Sequence, residues 1–150
     1  MLSSRAWLID LLHSIGEKLA LCDHLAEKLD DENARELYFK VLEERRKEMR
    51  ILANYGENTN LEYWCALKHS LKAWVLAVEV YDSMPNEENL NVVKYNEDIL
   101  AGVLSLFLGL EFKPCARCLN DILIGTYNKN SINNNERSYN NDDSKTSSAV

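Results

Sequence analysis

Apolar side chains recur along this chain at intervals of three and four residues, the period of helices with one buried face. Leu8, Leu11, Leu12, Ile15, Leu19, Cys22, Leu25, Ala26 and Leu29 predict a first helix over 4–29, with Ser3 or Ser4 as its cap. Asp30 to Asn33 reads as a turn whose acids favour the positive end of a second helix, over 32–55. Its inner side carries Leu37, Tyr38, Val41, Leu42, Arg45, Met49 and Leu52, and Gly56 stops it. Thr59 and Glu62 have the spacing of a capping box, so a third helix is expected to start there. Trp64, Leu67, Leu71, Trp74, Val78 and Tyr81 give it a heptad seam suited to a bundle. Asn86 then caps a fourth helix, with Leu90, Val93, Glu97, Leu100, Leu104 and Phe107 on one face and Lys113-Pro114 as its end. Pro114 would open a short fifth helix carrying Cys115, Cys118, Leu119, Ile122 and Leu123.

Within the fourth helix, residues 99–110 contain no charged side chain. A helix apolar on nearly every side must be covered on nearly every side, and this run is far shorter than the roughly 20 residues a membrane span needs. It is therefore expected to be the central helix of a core, wrapped by the others. The fold class that follows is all-α, an antiparallel four-helix bundle with a short fifth helix. Residues 128–150, rich in Asn and Ser and poor in large apolar side chains, are expected to form a disordered tail beyond a helical domain over 1–127.

The charge balance narrows the partners. A formal net charge of −7 over 150 residues argues against a general nucleic-acid or anionic-membrane surface. The first residues lack the pattern of a secretory signal, which points to a cytoplasmic protein. There the four cysteines are expected as free thiols, with Cys22 a small buried hydrophobe.

Few constellations could carry chemistry. Cys115 and Cys118, at the start of a helix and beside Arg117, have the spacing and electrostatics of a thiol-redox pair, but without the βαβ context of a thioredoxin-like site. Cys65 and His69 are the other pair at a helical ligand spacing and could join them around a structural zinc ion. No Glu is followed by His at the interval a di-iron bundle uses. Arg45 and Glu97 each lie in an apolar stripe, and an unpaired buried charge is costly, so they are expected to form a buried ion pair. No phosphate-binding loop, dinucleotide fingerprint or nucleophile elbow is present.

Rich in bundle-forming surface and poor in catalytic groups, the chain is expected to be a protein interaction or assembly module that self-associates as a homodimer. Its contact surface would be the small-residue face of Gly102, Ser105 and Gly109, or the aromatics Trp64, Trp74 and Tyr81. The alternatives are a thiol-redox or metal-binding protein using Cys115 and Cys118, and a small-molecule binder with a pocket lined by those aromatics.

Overall fold

The computed structural model describes residues 4–115. They form four α-helices and, among the described residues, no strand: α1 (Ser4–Ala26), α2 (Glu32–Ala53), α3 (Trp64–Ser83), preceded by a 3₁₀ turn (Leu61–Tyr63), and α4 (Glu87–Phe107). The all-α class is thus established. No helix among the described residues is long and apolar enough to cross a membrane. Pro114 and Cys115, expected to open a fifth helix, are not helical, and the rest of that expected helix, from Ala116 on, and the 128–150 tail lie outside the described residues.

Short polar side chains set the helix starts. Asp31 stays extended, and its carboxylate accepts the Ala34 N–H at 3.0 Å. The Asn86 side-chain carbonyl accepts the Asn89 N–H at 2.8 Å. The third start differs from the expected capping box: Asn60, not Thr59, takes an N–H, that of Glu62 at 3.1 Å. Thr59 instead turns back and donates to the carbonyls of Ala53 (2.6 Å) and Gly56 (3.2 Å), because the end of α2 leaves acceptors that need donors.

The end of α4 also differs, falling at Phe107 rather than at Lys113-Pro114. Gly109 takes φ +67°, its N–H bonds to the Leu106 carbonyl at 3.3 Å, and the Leu110 N–H reaches back to the Ser105 carbonyl at 2.9 Å. These are the two bonds of a Schellman ending, which satisfies carbonyls the helix would otherwise orphan. Apolar periodicity runs straight through Gly109, so it conceals this stop.

Among the described helices, α2 packs on α1 alone, α1 joins α2 to α3, and α4 packs on α3. The described residues therefore form two packed helix pairs, α1–α2 and α3–α4, joined through α1 and α3. The joint is at Gly16, where a Cβ would lie 2.5 Å from Val75 Cγ2 and 2.9 Å from the Leu71 carbonyl oxygen. Only a residue without a side chain lets the two helices approach so closely.

A second tie links the hairpins. The Asn60 N–H donates to the Phe107 carbonyl at 2.7 Å. A Cβ on Gly56 would lie 2.6 Å from the Leu108 carbonyl oxygen, and one on Gly109 only 2.3 Å from that of Asn58.

One apolar cluster fills the space between these ties: Leu8, Leu11, Leu12, Ile15 and Leu19 of α1, Met49 and Leu52 of α2, Leu67, Leu71, Trp74 and Val75 of α3, and Leu100, Leu104 and Phe107 of α4 with Leu108. The expected stripes are right in α1, α3 and α4 but end early, whereas in α2 only Met49 and Leu52 are buried and Leu37, expected on the inner side, is exposed because α2 reaches the core only at its C-terminal end. Residues 23–44 and 78–92, which contain the two hairpin turns, hold no buried side chain. Core burial is thus confined to the open ends of the hairpins.

The apolar run in α4 is largely covered, but from an unexpected side. As an edge helix it has α3 on one flank, and its Gly102 is closed over by the chain's own Phe112 and Pro114.

Gly16→Ala is expected to destabilise the fold despite the better helix propensity of alanine. Overpacking costs typically 1–3 kcal/mol and the propensity gain returns about 1 kcal/mol, leaving a net loss of up to about 2 kcal/mol, read as a lower urea midpoint.

Candidate functional site

The structure distributes the residues singled out by sequence rather than gathering them. Cys65 and His69 are both exposed on α3, and among the described residues no group of three His, Cys, Asp or Glu side chains is placed to hold a metal ion. Cys115 is disulfide-bonded, whereas Cys22 and Cys65 are free thiols. That corrects the expectation of four free thiols. Cys118 lies outside the described residues.

Arg45 and Glu97 do not form the expected ion pair. They sit on α2 and α4, which make no close approach, and Arg45 lies instead beside the Cys22 thiol at the α1–α2 interface. Burial pushes the Cys22 thiol above its ordinary value, and the neighbouring Arg45 guanidinium only partly opposes this. The physical reason for the misassignment is that periodicity gives the face a side chain occupies, not the helix it meets there.

The small residues of α4 are not an open face. Ser105 is fully buried, donates to the Gly102 carbonyl at 2.7 Å, and accepts the Lys113 N–H at 3.3 Å. With Phe112 and Pro114 over Gly102, the segment 110–114 forms a strap that occupies the surface expected for a partner. Gly109 serves the helix ending instead.

The aromatics of α3 belong mainly to the core. Trp64 stacks obliquely on Phe107 at 5.6 Å, and Trp74 is buried with its ring edge to His13 at 5.8 Å. Tyr81 is half-buried near the α3–α4 turn. These positions fix α3 against its neighbours.

Sequence reasoning missed a polar cluster between α1 and α2. The Ser14 hydroxyl donates to Glu48 Oε1 at 2.9 Å, and Lys18 Nζ donates to the same oxygen at 2.5 Å and to Ser14 Oγ at 2.6 Å. Ser14 and Lys18 are four residues apart on one side of α1, a spacing that could have revealed them as a pair. The cluster fixes the register of α1 on α2. The Ser14 proton points to a carboxylate oxygen already held by an ammonium group, so the serine is anchored rather than activated.

What remains open is apolar surface on the outer sides of two helices. On α2, Leu37 (53% exposed) and Ile51 (41%) stand seven residues to either side of Glu44. On α4, Val92 (48%), Tyr95 (67%) and Ile99 (42%) form a stripe opposite the core. Helices that each pack on one described neighbour leave a flank uncovered.

No family model, curated protein or solved structure is detectably similar to this chain. The residues themselves carry the functional reading.

Two measurements test the α1–α2 interface. Glu48→Ala leaves Lys18 and Ser14 without their acceptor and is expected to cost about 1–3 kcal/mol, whereas Lys18→Met combined with Glu48→Leu is expected to cost less than the sum of the single changes in a denaturation double-mutant cycle. The second concerns Cys22, whose raised folded-state pKa means the unfolded chain loses the thiol proton first. Stability it contributes is present below the ordinary value of 9.0 and is lost as pH rises beyond it. Thermal midpoints of the parent chain should therefore fall more steeply above that pH than those of Cys22→Ala.

Proposed function

We propose that this chain is an acidic helical interaction or assembly module that self-associates through α2. The carrying observation is that α2 packs on α1 alone and presents Leu37 and Ile51 symmetrically about Glu44. A two-fold axis near Glu44 sets Leu37 of one copy against Ile51 of the other, twice, which is the self-complementarity an isologous dimer requires. Glu44 then faces its own copy across the axis, and Lys47, 3.2 Å away on the same helix, offsets that charge. The mixed acids and bases of 43–50 surround this seam with both signs, so the net charge of −7 is not concentrated at the contact.

This reading includes the antiparallel bundle with a short fifth helix and a cytoplasmic setting. Support for the arrangement comes from the short connections 27–31 and 84–86 between packed helices.

A second reading, thiol redox work at Cys115 and Cys118, is favoured by one observation: Cys115 is already in a disulfide. The two readings meet in a single experiment, the native mass of the full chain at micromolar concentration with and without reductant. The dimer reading expects twice the chain mass, independent of reductant. Leu37→Asp with Ile51→Asp should leave helicity unchanged and weaken the dimer at least a hundredfold, about 2.8 kcal/mol. A monomeric parent, or a variant as dimeric as the parent, overturns it. A monomer that gains two hydrogens on reduction and returns to the oxidised state by exchange with a disulfide partner, which leaves as the dithiol, moves the function to the cysteines.

A further inference from the structure

We infer that one flank of α2, the stripe Arg35, Phe39, Leu42, Arg46 and Arg50, is the docking site for α4 of a second copy of this chain. The contact is head-to-tail. It uses the side of α2 away from Glu44 and so stands independently of the dimer seam. Among the described helices, α2 and α4 are the two that pack on a single α-helical neighbour, so each is an edge of the array. Setting the α4 edge of one copy on the α2 edge of the next continues the same side-by-side packing.

The flank of α2 is basic because the acids near it are engaged elsewhere. Glu43 and Glu44 both turn to Lys47, at 3.8 and 3.2 Å, and Glu48 is held by Lys18 and Ser14 of α1. Arg35, Arg46 and Arg50 are exposed and form no ion pair among the described residues. Phe39, 58% exposed, and the half-buried Leu42 lie between them. A nucleic acid or an anionic membrane would be repelled by the net charge of −7 that surrounds this flank. A local acid-bearing helix would not.

The exposed stripe of α4 is such a helix face. Glu88, Val92, Tyr95 and Ile99 repeat the four-three-four spacing of Arg35, Phe39, Leu42 and Arg46, with an acid at the end and Glu87 beside it. Neither glutamate forms an ion pair among the described residues. Charge selects the direction. In an antiparallel docking with Leu42 between Val92 and Tyr95, Phe39 falls between Tyr95 and Ile99. Arg46 and Arg50 then reach the levels of Leu90 and Asn86, each within two residues of Glu88, about 3 Å along the axis. A parallel docking in the same apolar register carries them instead to Ala101 and Ser105, inside the run 99–110 that has no charge.

The test uses the full chain carrying Leu37→Asp and Ile51→Asp, which removes the α2 seam, followed by sedimentation equilibrium. One stripe per copy is a small contact of the weak class, so association is expected at about 0.1–1 mM and leaves the micromolar mass to the seam. The mass should rise past twice that of the chain, because a head-to-tail contact repeats. Raising salt from about 0.05 to about 0.5 M should weaken the association about tenfold. Arg46→Glu with Arg50→Glu, and separately Glu87→Arg with Glu88→Arg, should each abolish it. An equimolar mixture of these two variants should restore it, since each then offers the other an opposite charge. Tyr95→Ser with Ile99→Ser alters no charge and should weaken it as well. A chain that stays monomeric at these concentrations, association that stops at a dimer, reversals without effect, or a mixture that fails to associate each overturns the inference. Failure of the α2 dimer is read separately, from the micromolar mass of the parent chain.

Discussion

The architecture depends on a missing side chain. At Gly16 the backbone of α3 comes so close that a Cβ would collide with Val75 and with the carbonyl of Leu71. This is where one helical hairpin is laid on the other, and the buried leucines of four helices meet because the distance there is short. Dispersion contacts fall away steeply with separation, so a joint held half an ångström wider weakens the whole interior rather than one residue. Gly56 and Gly109 repeat the device at the second tie, where the α2–α3 connection meets the end of α4 through backbone atoms. Close backbone approach, more than any polar network, holds the hairpins in one register.

Polar groups have a different part. Ser14, Lys18 and Glu48 bind α1 to α2 within a hairpin whose turn already brings the helices together. The cluster selects one sliding position among several that apolar stripes alone would tolerate. Arg45 beside Cys22 supplies a similar marker one turn away. Neither arrangement has the exposed nucleophile or the converging donors of a catalytic centre, and their chemistry is consistent with alignment.

Much of the fold was legible because its signals are local. Asp31 and Asn86 cap the helices that begin after them, and the apolar stripes of α1, α3 and α4 mark the inward side, while in α2 only Met49 and Leu52 do so and Leu37 faces out. What stayed hidden depends on neighbours far away in sequence. Gly16 reads as a mere propensity cost within an otherwise good helix, since nothing nearby announces that Val75 will lie against it. Gly109 reads as part of an apolar run, yet it ends the helix, and Thr59 reads as a cap while serving the preceding helix instead. The candidate contact face was half legible: Gly102 and Ser105 do mark a close approach, but the visitor is the chain's own strap.

The absence of buried side chains from residues 23–44 and 78–92 also bears on how such a protein can change over time. Its two turns, 27–31 and 84–86, lie at the ends of arms that the interior does not need. Lengthening a loop is thermodynamically gentle, about 0.6 kcal/mol for each doubling, when no packed residue has to move. Insertions and whole added modules can therefore accumulate at these turns while the glycine joint and its surrounding leucines stay fixed. The turns 27–31 and 84–86 are the part of this molecule free to diverge, and the crossing at Gly16 is the part that is not.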